Sequence, residues 1–174
     1  LSGESRFKGA RRVENLIEGS SEDLENAAWV KATSGGGSMP VFVSGNTYTY
    51  ATGGATSVDR SYFRNVSLGG FAVGETVLVS LEISSTADTI IHITDTLNNA
   101  SSSDVAITSV PKRVINKYTP DLDGLIRVEF GLWGDTAGDV SVDITVDKIQ
   151  VENVTSQSNQ NPSEYVSSGV GTGA

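Results

Sequence analysis

Proton-transfer chemistry at neutral pH needs a group that titrates nearby, and this chain offers few. It has one histidine, His92, and no cysteine. His92 lies in TIIHITD, between Ile91 and Ile93 and opposite to them in strand parity. That parity places it at a surface or cross-strand position, not in the role of a base. No Gly-x-Ser-x-Gly elbow, no phosphate-binding glycine loop and no His-Glu-x-x-His pair occurs. Twenty-one acids ensure that some carboxylates lie near one another, and paired carboxylates can cleave glycosides, but nothing marks one pair. Asp121-Leu122-Asp123-Gly124 carries part of a calcium-loop pattern and lacks the rest, so it reads as a turn. The residues therefore point away from catalysis and towards binding or structure.

Among the aromatics, position decides. Trp29 follows Ala27-Ala28 and opens an extended run, which predicts core burial. Trp133 shares strand parity with Arg127 and Glu129, the polar side of GLIRVEFGLW. An indole on a polar face suits an exposed platform or an intersubunit contact.

The elements that must position these residues are strands. The run DVSVDITVDKIQVE, 139–152, puts Val140, Val142, Ile144 and Val146 on one face and then flips parity, so that Ile149 and Val151 take the polar register. A strand has a period of two, so the flip predicts a β-bulge or break at Asp147 and Lys148. ETVLVSLEIS alternates cleanly, with Val77, Val79, Leu81 and Ile83 inward and Ser80, Glu82 and Ser84 outward. GLIRVEFGLW sets Ile126, Val128, Phe130 and Leu132 against Arg127, Glu129 and Trp133. MPVFVSG, TYTYAT (Tyr48 and Tyr50 on one face), TIIHITD, DVAIT and KRVINKY are further strand candidates. RSYFRNVSL reads with Tyr62, Val66 and Leu68 on one side and Arg64 interrupting. Upstream, RRVENLI reads as a short strand, and Ser20 or Ser21 as the cap of a single helical turn. Short alternating strands at near-regular spacing, separated by Gly, Asn and Pro turns, predict antiparallel sheets in a sandwich or barrel.

The totals agree. The 174 residues suffice for one domain with a core, 37% are apolar and 19 are glycine, a mix suited to many turns. No apolar run of 18 residues occurs, and no signal peptide is visible. The first residue is Leu, which suggests a piece of a longer polypeptide. Without cysteine there is neither disulfide nor thiolate metal site, which fits maturation in a reducing cytosol. The net charge of −9 is uneven. Residues 1–12 hold Arg6, Lys8, Arg11 and Arg12 against Glu4, a local +3, which leaves 8 basic and 20 acidic residues elsewhere, net −12. Such a surface repels nucleic acid. The basic arm is either a solvated linker or a contact with an acidic surface of its own assembly. The organisation read from the sequence is a basic arm over 1–12, a sandwich over 13–155 and a flexible tail over 156–174 anchored by Tyr165 and Val166.

Three stretches resemble a recurrent domain of tailed-bacteriophage virion proteins. They are RRVENLIEGSSEDLENAAWVK, the core run from the Gly-Glu-Thr turn through KRVINKYT to VDKIQVENV, and the tail TSQSNQNPSEYVSSGV. That family is similar in turn to jelly-roll carbohydrate-binding modules. The resemblance implies an all-β antiparallel jelly-roll β-sandwich, non-catalytic, displayed on a virion as part of a tail fibre, a spike or a capsid decoration. It implies other virion chains as partners and a homotrimer, with neither nucleic-acid binding nor membrane insertion. The alternative it carries is a lectin-like module for host glycan, for which the exposed aromatic platform would come from Trp133, Tyr48, Tyr50 and Tyr62. It also implies a structural calcium tying the N-terminal lead-in to the last strand, at Glu22 or Asp23 and Asp147. The plainer alternative has Glu22 and Asp23 in a helical first turn and Asp147 capping the bulge.

Overall fold

The computed structural model describes residues 15–17, 22–65, 68, 70–95, 100–120 and 125–165. Ten strands form two five-stranded antiparallel sheets. The first sheet runs β1 (Trp29–Ser34), β4 (Arg60–Asn65), β9 (Val128–Trp133), β6 (Thr89–Asp95), β7 (Ala100–Ile107). The second runs β2 (Ser38–Ser44), β3 (Thr47–Ala51), β10 (Ser141–Asn153), β5 (Val77–Ser85), β8 (Lys112–Tyr118). One four-residue turn of helix, α1 (Gly134–Ala137), links β9 to the approach of β10. The architecture is a sandwich, one of the two outcomes that the alternating strands predict, and the one that the resemblance implies.

The core is the space between the sheets. β5 contributes Val77, Val79, Leu81 and Ile83, all at most 1% exposed, as its alternation predicts. Phe63 stacks on Phe130 at 6.0 Å and meets Tyr48 edge-on at 4.8 Å, while Trp29 meets Phe130 at 5.5 Å. These rings join the two sheets at the β1-β4-β9 end. The expected side of β4 is corrected here. Phe63 points inward with Ser61 and Asn65, and Tyr62 points outward with Arg60 and Arg64. The two inward polar residues hide the apolar period. Asn65 keeps its place inside by donating from Nδ2 to the Ala28 carbonyl, 3.1 Å.

The bulge in β10 lies where the parity flips. Asp147 pairs with Glu82 and Gln150 with Ser80, so two residues of β10 face one of β5. Lys148 takes φ +52°, a left-handed conformation, and Ile149 returns to the core at 1% exposure. Beyond Thr145, β3 no longer accompanies β10 on that side. The lead-in replaces it: Asn15 accepts from Val151 N–H and donates to the Ile149 carbonyl, while Leu16 N–H donates to the Val151 carbonyl. Buried backbone groups need such partners. Residues 15–17 are thus stitched along β10 without forming the strand expected of RRVENLI.

No helical turn forms over 22–28. Asp23 Oδ1 accepts from Glu25 N–H and Asn26 Oδ1 from Ala28 N–H, side-chain turns that compete with a helix. The Ser20 and Ser21 cap and the 1–12 arm lie outside the described residues. The tail is docked as far as Tyr165. Ser163 donates to Glu152 and accepts from Gln150 and from Arg113, across the outer face of β10 and β8. Val166 lies outside the described residues.

Candidate functional site

The outer face of the β1-β4-β9-β6-β7 sheet gathers the chain's exposed chemistry. β4 projects Arg60, Tyr62 and Arg64 from alternate positions. In register, Arg60 faces Trp133, Tyr62 faces Gly131 and Arg64 faces Glu129 on β9. On the far side of β9, His92 of β6 also faces Gly131, and Asp104 of β7 faces His92. Gly131 is the pivot of this arrangement. A Cβ there would lie 2.3 Å from the Ser61 carbonyl oxygen and 2.5 Å from the Tyr62 Cβ, so only glycine lets β4 close on β9.

Trp133 forms the floor. Its ring lies 4.4 Å from His92 and 5.5 Å from Tyr62, and the Arg60 guanidinium sits over it at 5.3 Å. It is on the outer face, as its parity predicts, yet only 5% exposed because these three neighbours cover it. Tyr62 rests half-buried on that floor, on its solvent side. His92 Nδ1 and Asp104 Oδ1 lie 2.6 Å apart, a cross-strand pair that fixes the imidazole on Trp133.

The loop before β4 sets the depth of the floor. Asp59 accepts from Gly36 N–H at 2.8 Å, from Thr56 N–H at 3.0 Å and from the Thr56 hydroxyl at 2.5 Å. The Thr56 hydroxyl, then the Gly36 amide, hold its carboxyl below the usual aspartate value. Its own carbonyl accepts from Gly134 N–H at 2.8 Å, next to Trp133. Arg60 is in turn oriented by Nε donating to the Ser57 carbonyl at 2.6 Å. The sequence offered no signal for Arg60, Arg64 or Gly131 beyond strand parity, since their roles depend on which strands become neighbours.

Tyr48 and Tyr50 are corrected as platform residues. Both are 0% exposed between the sheets, where they contact Phe63, and burial pushes both phenols up. Their shared face is the inner one, because β3 pairs with β10 and must present its rings to the core.

Glu22, Asp23 and Asp147 do not form an ion cage. Asn46 makes the junction: its Nδ2 donates to the Glu22 carbonyl at 2.5 Å and to Asp147 Oδ1 at 3.1 Å. The Glu22 carboxylate accepts from the Tyr165 hydroxyl and that of Asp23 from Glu25 N–H. A donor amide stands where a cation would have to stand, and among the described residues no three His, Cys, Asp or Glu converge. The lead-in and last strand do meet at Asp147, through a neutral side chain.

The outer face of the second sheet offers a shallow pocket lined by Glu82, Arg113, Lys148 and Tyr165. Its polar groups are already committed: Lys148 to Glu82, Arg113 to Ser163 and Ser80, Tyr165 to Glu22. The Tyr62 face is the better candidate.

The sequence matches no protein-family model and no curated protein. The fold is shared with solved structures. The family 11 carbohydrate-binding module of a cellulosomal cellulase from Clostridium thermocellum superimposes with a TM-score of 0.53 at 17% identity, over 84% of this chain and 99% of that one. The second N-terminal cellulose-binding domain of a Cellulomonas fimi β-1,4-glucanase gives 0.52 at 15% identity, over 83% and 97%. The enzymatically active domain of tailspike protein 4 of bacteriophage CBA120 gives 0.51 at 10% identity, over 80% of this chain and 21% of that one. At these identities the likeness is one of fold: this chain is built as the jelly-roll sandwich that carbohydrate-binding modules use.

Proposed function

We propose that this domain is a non-catalytic module that binds carbohydrate on the outer face of the β1-β4-β9-β6-β7 sheet. The observation that carries the reading is Tyr62, half-buried on the Trp133 floor and flanked by Arg60 and Arg64. A flat ring takes the apolar face of a sugar, and polar groups on either side fix its hydroxyls. The fold shared with a cellulose-binding domain and a family 11 carbohydrate-binding module supports the ligand class. The test is a glycan array followed by calorimetry on the hits. Tyr62→Ala is expected to weaken binding at least about tenfold, roughly 1.4 kcal/mol, at a temperature where the variant remains folded. An array without hits, or hits indifferent to Tyr62→Ala, sinks the reading.

A second, compatible reading is that the domain belongs to a phage particle, in a tail fibre, tailspike or capsid decoration, and packs there against another copy of itself. β2 favours it. β2 is an edge strand in which Met39, Val41, Phe42 and Val43 are each about half exposed or more, and no charged residue occurs from Ser38 to Ser44. On a chain of net charge −9, this uncharged edge is where like-charged copies can meet. The fold likeness to a tailspike domain supports the setting. Sedimentation equilibrium is expected to show self-association that Val41→Lys abolishes. A monomer at high concentration removes the self-packing part of this reading.

A further inference from the structure

Two arginines on this acidic protein lack acidic partners, and both stand beside Tyr62. Elsewhere Lys31 pairs with Glu25 at 2.6 Å, Lys148 pairs with Glu82 at 2.9 Å, and Arg113 donates to the Ser163 carbonyl and the Ser80 hydroxyl. Arg64 makes neither a hydrogen bond nor an ion pair among the described residues. Glu129, its register partner on β9, is buried. Arg60 spends Nε on the Ser57 carbonyl and its flat face on Trp133, and among the described residues its Nη groups have no acidic partner. Lys112 and Arg113 spend their charge on neutral acceptors of the protein, whereas Arg60 and Arg64 flank an aromatic ring on one strand face. Alternate residues of a strand lie about 6.8 Å apart, so Arg60 and Arg64 are separated by roughly 14 Å with Tyr62 midway.

We infer that the glycan bound here is acidic, bearing carboxylate or sulfate groups that Arg60 and Arg64 hold on either side of the sugar stacked on Tyr62. The inference rests on the carbohydrate-binding reading and narrows its ligand class. A guanidinium presents paired N–H donors that match both anions, and such charge-assisted bonds are about twice as strong as neutral ones. The ligand's charges must be sparse. Nucleic acid carries a negative charge every 1.7 Å or so along its axis, and that density meets the repulsion of a surface with net charge −9. A polysaccharide charged once per sugar or less presents isolated anions, and the Debye length of about 8 Å at physiological salt screens them from the distant acids.

The experiment uses the full 174-residue chain on an array of neutral, uronate-containing and sulfated glycans, with each hit repeated after carboxyl reduction or desulfation. A single-stranded oligonucleotide is run alongside. The expected result is a set of acidic hits that weaken at least about tenfold when their charge is removed. Arg64→Gln is expected to weaken them similarly and to flatten the salt dependence at an unchanged melting temperature, with Arg64→Lys in between. Neutral hits that Tyr62→Ala abolishes and Arg64→Gln leaves alone would overturn the acidic ligand and keep the carbohydrate reading. An array without hits overturns both. Oligonucleotide binding that depends on Arg60 and Arg64 overturns the assignment in favour of polyphosphate.

Discussion

At the scale of single residues, the site divides labour between a covered indole and an open phenol. Trp133 is held by His92, Tyr62 and Arg60 and is 5% exposed, so its removal acts first on the fold. Trp133→Ala is expected to cost about 3–5 kcal/mol in denaturant unfolding, whereas Tyr62→Ala, which removes a half-buried ring and uncovers one side of the indole, is expected to cost less, about 1 kcal/mol. If the two variants unfold at the same denaturant concentration, Trp133 is not the floor described here. Asp59 gives a second prediction. Its folded carboxyl titrates below its ordinary value because Thr56 and Gly36 donate to the ionised form. Its stabilising effect is therefore present in full above the ordinary carboxylate range and is lost as pH falls through the folded value. Asp59→Asn should melt lower than wild type at pH 7, and the gap should close on acidification below about pH 4. A gap that stays constant from pH 7 to pH 3 rules out the ionised network as its source.

At the scale of elements, β10 organises the molecule. It pairs with β3 over Ser141–Thr145 and with β5 from Ile144 to Asn153, and the bulge within the β5 ladder changes which side chains face the core. The extra residue is Lys148, whose left-handed backbone costs a non-glycine residue about 1–2 kcal/mol. Its ion pair with Glu82 is exposed and returns well under that. Lys148→Gly is therefore expected to hold or raise stability, and Lys148→Val, β-branched, to lower it by about 1–2 kcal/mol. Equal melting curves for the two variants would place the bulge elsewhere. The lead-in depends on the same element. Once β3 ends, the free edge of β10 needs new partners, and Asn15, Leu16 and Asn46 supply them. The junction expected to need an ion is closed by amides.

At the scale of the whole molecule, the two outer faces differ. The β2-β3-β10-β5-β8 sheet is roofed in part by the tail, where Ser163 binds Gln150 and Glu152 while their register partners Ser80 and Leu78 are buried on the same face. The β1-β4-β9-β6-β7 sheet keeps its arginines and Tyr62 outward. Removing residues 156–174 is expected to destabilise the sandwich, since Arg113, Gln150 and Glu152 lose their Ser163 hydrogen bonds, about 0.5–1.5 kcal/mol each. Binding through Tyr62 should persist at temperatures where the truncated chain is folded. Unchanged unfolding free energy after truncation would show that the tail is not a structural part of the domain.

The sequence by itself determined the class of fold and the place of the bulge. Strand periodicity is a local property, and the parity switch between Val146 and Ile149 can be satisfied only by an inserted residue. It also determined which face Trp133 takes, for the same reason. Which aromatic meets solvent was decided by tertiary structure. Tyr48 and Tyr50 on one strand and Tyr62 on another have similar local patterns, and only the pairing of β3 with β10, and of β4 with β9, sends the first two inward and the third out. The match of Arg60 and Arg64 to Tyr62, and the use of Asn46 in place of an ion, likewise required strands and turns distant in sequence to become neighbours. Alternation fixes the side of a sheet locally, but which side becomes interior depends on how the sheets stack.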